Sequence, residues 1–113
     1  MTDIVEINTT FIGRATFEDG FGNPGSIQSE SVEVVHFDGN TRTVISASPT
    51  LSEPVTGEYV VEVDVLDTLF TLNNNYFVVL SGITSGGQQS VSELISWSFR
   101  PIAVASTYSV DFS

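Results

Sequence analysis

The sequence predicts an all-β domain, an antiparallel β-sandwich of about seven strands with extended N- and C-terminal arms. Three observations predict it. Val, Ile, Thr, Phe and Tyr recur throughout, while Gly, Asn, Asp, Ser and Pro gather between the runs at intervals of about 8–12 residues. No stretch carries a capped apolar period of about 3.6 residues, so nothing longer than a single helical turn, within Thr68 to Asn75, is expected. At 113 residues the chain has room for one domain with a core of ordinary size.

The elements follow in order. Ile4 to Ile7 alternates weakly and reads as an edge strand or an arm. In Phe11 to Phe17, the residues Phe11, Gly13, Ala15 and Phe17 share one face, with Arg14 and Thr16 on the other. Asp19 to Gly25 is a loop dense in turn formers. Ser31 to Phe37 places Val32 and Val34 on one parity and Val35 and Phe37 on the other, which leaves its inward face undecided. Asp38-Gly39 is a hairpin signal, because that pair tolerates the positive φ of a tight turn, and Thr41 to Ala47 returns from it. Ser48 to Gly57 reads as a loop.

Glu58 to Val65 is the cleanest strand. Tyr59, Val61, Val63 and Val65 point one way, and Glu58, Val60, Glu62 and Asp64 the other. Its apolar face is expected in the core, opposed by Val91, Ile95 and Trp97. Tyr76 to Ser81 is apolar on both faces, as at the centre of a sheet, and Gly82 to Gly87 turns the chain. Gln88 to Arg100 closes the core, with Trp97 and Phe99 read as core residues rather than a sugar-stacking platform. Pro101 cannot donate to a ladder, so a boundary is placed there. The expected organisation is an N-terminal arm or edge strand at 1–9, a sandwich at 10–100 and a C-terminal arm at 101–113.

In that arm Ile102, Val104, Tyr108, Val110 and Phe112 share one parity, so an extended chain would turn them all to one side. They are the expected partner-contact residues, either on a neighbouring subunit or along the arm's own sheet. Leu69 and Phe70, with Leu72, form an apolar patch in a connecting segment. It either caps one end of the sandwich or adds to the subunit contact.

Charge narrows the partners. Fourteen acidic residues stand against three arginines and no lysine, for a net charge of -11. Such a surface repels phosphate backbones and anionic membranes, so no nucleic acid and no membrane is expected. No apolar run approaches the ~20 residues of a membrane helix. The N-terminus has no basic segment leading into a long apolar run, so no secretory signal is read. There is no cysteine, hence no disulfide and no thiolate metal site.

The run Thr56-Gly57-Glu58-Tyr59-Val60-Val61-Glu62-Val63, the later Tyr76-Phe77-Val78-Val79-Leu80-Ser81-Gly82, and the glycine hairpin with its closing strand resemble bacterial and bacteriophage immunoglobulin-like domains. The Asp19–Gly25 loop resembles the loop after their second strand. The resemblance spans roughly residues 10 to 100. It implies an immunoglobulin-like sandwich of the kind found in phage capsid decoration and tail proteins and in bacterial adhesins. It brings no catalytic residue, and the cysteine pair of antibody domains is absent.

The residues themselves offer little chemistry. His36, the single histidine, sits between Val35 and Phe37, and a lone strand histidine is a structural residue far more often than a base. No Gly-x-Ser-x-Gly elbow occurs, and amine and thiol nucleophiles are missing. Asp19 to Asn23, with Asp64 and Asp67, offers oxygen ligands, but calcium loops are denser in carboxylates, and turn chemistry accounts for the same residues. No catalytic residue, metal or cofactor is expected. A non-enzymatic virion protein is expected instead, foremost a capsid decoration protein assembled in the host cytoplasm. Its expected partners are the major capsid protein or other virion subunits, and a homo-oligomer is expected. A neck, tail or fibre subunit is the first alternative. A surface adhesion module, with Phe21 as its one loop aromatic, is the second.

Overall fold

The computed structural model describes residues 2–84 and 91–104, with the backbone alone at 91–93. Eight strands are formed among them: β1 (Thr2–Glu6), β2 (Thr9–Thr16), β3 (Ile27–Asp38), β4 (Thr41–Ile45), β5 (Thr50–Val55), β6 (Glu58–Val65), β7 (Tyr76–Thr84) and β8 (Val91–Ile102). They make a large sheet of five strands, in the order β1-β8-β7-β3-β4, and a small sheet of three, β2-β6-β5. Every pairing is antiparallel except that of β1 with β8, which is parallel.

The core lies between the two inner faces, and strict alternation builds it. Val61, Val63 and Val65 of β6 are fully buried and Tyr59 nearly so. They face Val34, Val78 and Leu80 of the large sheet, which are equally buried. At one end Phe99 joins an aromatic cluster, its ring 5.0 Å from Phe11, 5.6 Å from Phe70 and 5.7 Å from Tyr76. Trp97 is half-buried and packs on the same core with Ile95. Gly13 makes room for it, since a Cβ there would stand 2.8 Å from the indole. The small member of the Phe11–Phe17 face is thus dictated by the largest side chain opposite.

Two buried phenols tie loops to this core. The Tyr59 hydroxyl accepts a hydrogen bond from the Ile27 amide at 2.8 Å, and the Tyr76 hydroxyl accepts one from the Thr71 amide at 2.8 Å. Each pays the desolvation of its polar tip with a backbone donor that would otherwise lack a partner. Between β1 and β2 the chain crosses from the large sheet to the small one at Asn8, whose φ is 65°. Asn is among the few residues that adopt this conformation readily. Its amide donates to Val65 O, and its side-chain oxygen accepts from the Asp67 amide.

The structure departs from the sequence reading in four places. The segment read as a loop at Ser48 to Gly57 contains β5, an edge strand, which raises the count from seven to eight. Its Pro54 lies in a register shift between Ser52 and Val55, where a missing amide does no harm. The N-terminal element takes the edge-strand form of the two expected, but it pairs in parallel, so the sandwich is not wholly antiparallel. β3 starts at Ile27, four residues earlier than the predicted run, because a bulge between Gln28 and Ser31 restores the register.

The fourth departure is at Pro101. β8 runs through it to Ile102, beyond the boundary placed at Arg100. The Pro101 carbonyl accepts from the Asn73 amide, so the side of Pro101 that lacks a donor faces the β6–β7 connection. β7 begins only at Tyr76, opposite Phe99, so no ladder partner is waiting there. Pro101 interrupts nothing and is itself fully buried.

Candidate functional site

A sandwich needs apolar residues on the inner faces only, and polar outer faces are the rule. The small sheet obeys it. Its outer face carries Thr10, Arg14 and Thr16 from β2 and Glu58, Glu62 and Asp64 from β6, with Ile12 and Val60 between them. The Asp64 carboxylate accepts from the Thr10 hydroxyl at 3.0 Å. This face is acidic.

The large sheet does not obey it. On the outer parity of β3, β4 and β7, Val44, Val35 and Phe77 stand side by side in one cross-strand row. Phe37 and Val79 flank that row along β3 and β7. Val35 is only 1% exposed, although it points away from the core; its neighbours on the sheet surface cover it. Phe37 is 47% exposed and Val44 50%, and Phe77 and Val79 are half-buried. The Phe37 and Phe77 rings meet edge to face at 5.8 Å. Leu94, 66% exposed, extends the surface onto β8.

Small polar groups surround this patch. Ser31, Ser81, Ser96 and Ser98 lie on the same face, and beside Phe77 an open cavity of about 310 Å³ is lined by Ser96 and Ser98 with Asp3 and Trp97. The charges balance. Arg42 forms an ion pair with Glu33 at the edge of the patch, and at the far side Arg100 and Glu6 share the outer parity of β8 and β1. The Arg100 Nε is buried and has no hydrogen-bond partner among the described residues.

The residues singled out from sequence fall as follows. Phe70 is 4% exposed and belongs to the aromatic cluster, 4.8 Å from Tyr76, which is the capping position expected as one of its two alternatives. The amides of Leu69 and Phe70 both bond to Leu66 O in a single turn, which leaves Leu69 and Leu72 partly exposed. Ile102 is bound into the large sheet, where its carbonyl accepts from the Ile7 amide at 2.8 Å. Val104 is exposed. Tyr108, Val110 and Phe112 lie outside the described residues, so the expected contact set is not brought together as one surface. Residues 35, 37, 44, 77, 79 and 94 were missed as a surface. Their signal was the double parity of β3 and β7, which the sequence left undecided for β3 and assigned to the centre of a sheet for β7.

The remaining candidates are structural in their surroundings. One carboxylate oxygen of Asp19 accepts from the amides of Phe21 and Asn23, which is turn chemistry. Asp64 and Asp67 stand at the other end of β2 and β6 from this loop, the Thr10–Asp64 pair lying six register positions from Thr16–Glu58, and cannot join it. Phe21 is exposed at the loop tip. Among the described residues no cluster of three His, Asp or Glu could hold a metal ion. His36 rests its ring against Tyr76, with Nδ1 3.1 Å from Asn75 O. At the corner joining β5 to β6, Glu53 accepts from the Ser26 hydroxyl and from the Gly57 amide. The Ser26 bond first, then the Gly57 bond, holds its carboxyl below the usual range. Tyr59 nearby is raised, chiefly by burial.

No protein-family model matches the chain, and no curated protein matches it. Among solved structures it is similar to murine CRIg, with a TM-score of 0.46 and 7% identity over 90% of this chain and 91% of that one.

Proposed function

We propose that the chain is a non-catalytic structural module that acts through protein–protein contact, and that it serves as a virion component of the capsid-decoration kind. One observation carries the first half: the apolar, charge-balanced outer face of the large sheet in an otherwise strongly acidic chain. Exposed apolar surface around a well-packed centre, rimmed by small polar groups, is the make-up of an interaction patch. The virion assignment rests on the sequence resemblance to immunoglobulin-like phage domains. Two features of the fold support the immunoglobulin-like part of it. The orders β8-β7-β3-β4 and β2-β6-β5 are those of such a sandwich, and Tyr76, opening β7, bonds back to the backbone a few residues upstream.

Quantitative mass spectrometry of particles purified from the source that encodes the chain tests the assignment. The expected result is a simple copy-number ratio to the major capsid protein, reduced when Phe37 and Val44 are both changed to Ser. Recovery in isolated tails instead of capsids would move the protein to the neck, tail or fibre. Absence from all particles would end the virion reading.

A further inference from the structure

We propose that the outer face of the large sheet pairs with the same face of a second copy, forming a two-fold dimer centred on the Val35–Phe77 row. The proposal rests on the assembly reading above and names its first partner.

Three properties of the face point to a second copy. The first is charge. Two molecules of net charge -11 repel each other on any acidic surface, yet this face balances Glu6 and Glu33 with Arg42 and Arg100. The acidic residues of the small sheet point away from it, on the opposite side of the sandwich. With a screening length of about 8 Å at physiological salt, those distant charges act weakly across a face-to-face contact. An acidic or basic partner would find no matching potential here; a second copy needs none.

The second property is size. Five strands about 4.8 Å apart, of 5, 12, 9, 12 and 5 residues at about 3.3 Å each, give a footprint on the order of 700 Å². A stable complex buries about 800 Å² per partner. The third is shape. A two-fold contact must be self-complementary, and an apolar centre bordered by small serine side chains lets the same patch of two copies approach closely. Sheet faces pack about 10 Å apart in sandwiches, and here the same packing would run between two molecules.

Sedimentation equilibrium on the full chain, from micromolar to millimolar concentration, tests this. Phe37→Ser and Val44→Ser, made separately, should each weaken the dimer ~10-fold or more, since truncating a central apolar contact exceeds the ~1.4 kcal/mol that a tenfold change represents. Ile12→Ser on the small sheet should leave it unchanged. Thermal melts of all three confirm that each is folded, and a misfolded variant is replaced by Leu94→Ser on the same face. A chain that stays monomeric throughout overturns the proposal, as does a dimer that only Ile12→Ser disrupts. So does a monomer that dimerises once residues 105–113 are removed, which would make that segment the occupant. If the chain is monomeric but the face variants still lose particle attachment, the dimer fails while the assembly reading stands; if neither association nor attachment responds, both fail.

Discussion

The two sheets of this molecule share one core but end in different outer faces. β6 buries Tyr59, Val61, Val63 and Val65 on one parity and turns Glu58, Glu62 and Asp64 outward, with Val60 the one apolar residue on its outer side. β3 and β7 bury one parity just as fully, then carry Val35, Phe37, Phe77 and Val79 on the other. The fold has no need of this second set, because the inner face already supplies the core. These residues are the ones the proposed contact would cover. Along a single strand, burial within the chain and burial against a partner would be written in the same pattern, and only the neighbouring sheet could tell them apart.

The largest expected effect breaks the contrast within β6. Val63→Asp would place an unpaired charge among fully buried residues and should unfold the domain, at a cost of several kcal/mol. Val60→Asp, on the outer parity of the same strand, should shift stability by about 1 kcal/mol or less. Chemical denaturation of both reads the difference directly, and equal losses would refute the assigned faces. A smaller effect is expected at Tyr76→Phe, which strips the acceptor from the Thr71 amide and should cost about 1–2 kcal/mol by the same measurement.

The smallest effect depends on pH. The hydrogen bonds from Ser26 and Gly57 favour the Glu53 carboxylate and lower its pKa in the folded state from the ordinary 4.5. A depressed acid contributes stability that is present above its unfolded value and lost as pH falls through its folded value. Glu53→Gln should therefore melt below the wild type at neutral pH, with the gap closing below pH 4.5. A gap that stays constant from pH 7 to pH 3 would remove Glu53 from any part in acid sensitivity.

Much of the fold was legible because parity is a local property. The Tyr59–Val65 face, the Phe11–Phe17 face and the Asp38-Gly39 hairpin follow from spacing and turn chemistry alone. What escaped depends on neighbours. Thr50 to Val55 carries a proline and little apolar character, and it becomes a strand only because β6 offers an open edge. Pro101 reads as a break unless the late start of β7 is known. Phe70 left a choice between capping the sandwich and making a contact because one of its ring partners, Phe99, comes from a distant part of the chain. The apolar outer face was hidden for a related reason. Its residues are contributed by three strands, and in each strand singly a second apolar parity reads as deeper burial.

The parallel pairing of β1 with β8 has a consequence for the order of events during synthesis. Thr2 and Ser98, which meet through their hydroxyls, are 96 positions apart. Of the eight described strands, β1 is made first yet cannot be placed until β8 has been made, whereas β3 and β4 can close as soon as their hairpin is made. Loop closure penalises so long a span, though only logarithmically. Contacts of such separation form late in topologies of this kind. Until then the inner side of the β8 edge is bare, and Thr2 to Glu6 acts as the latch that shuts a sheet already folded.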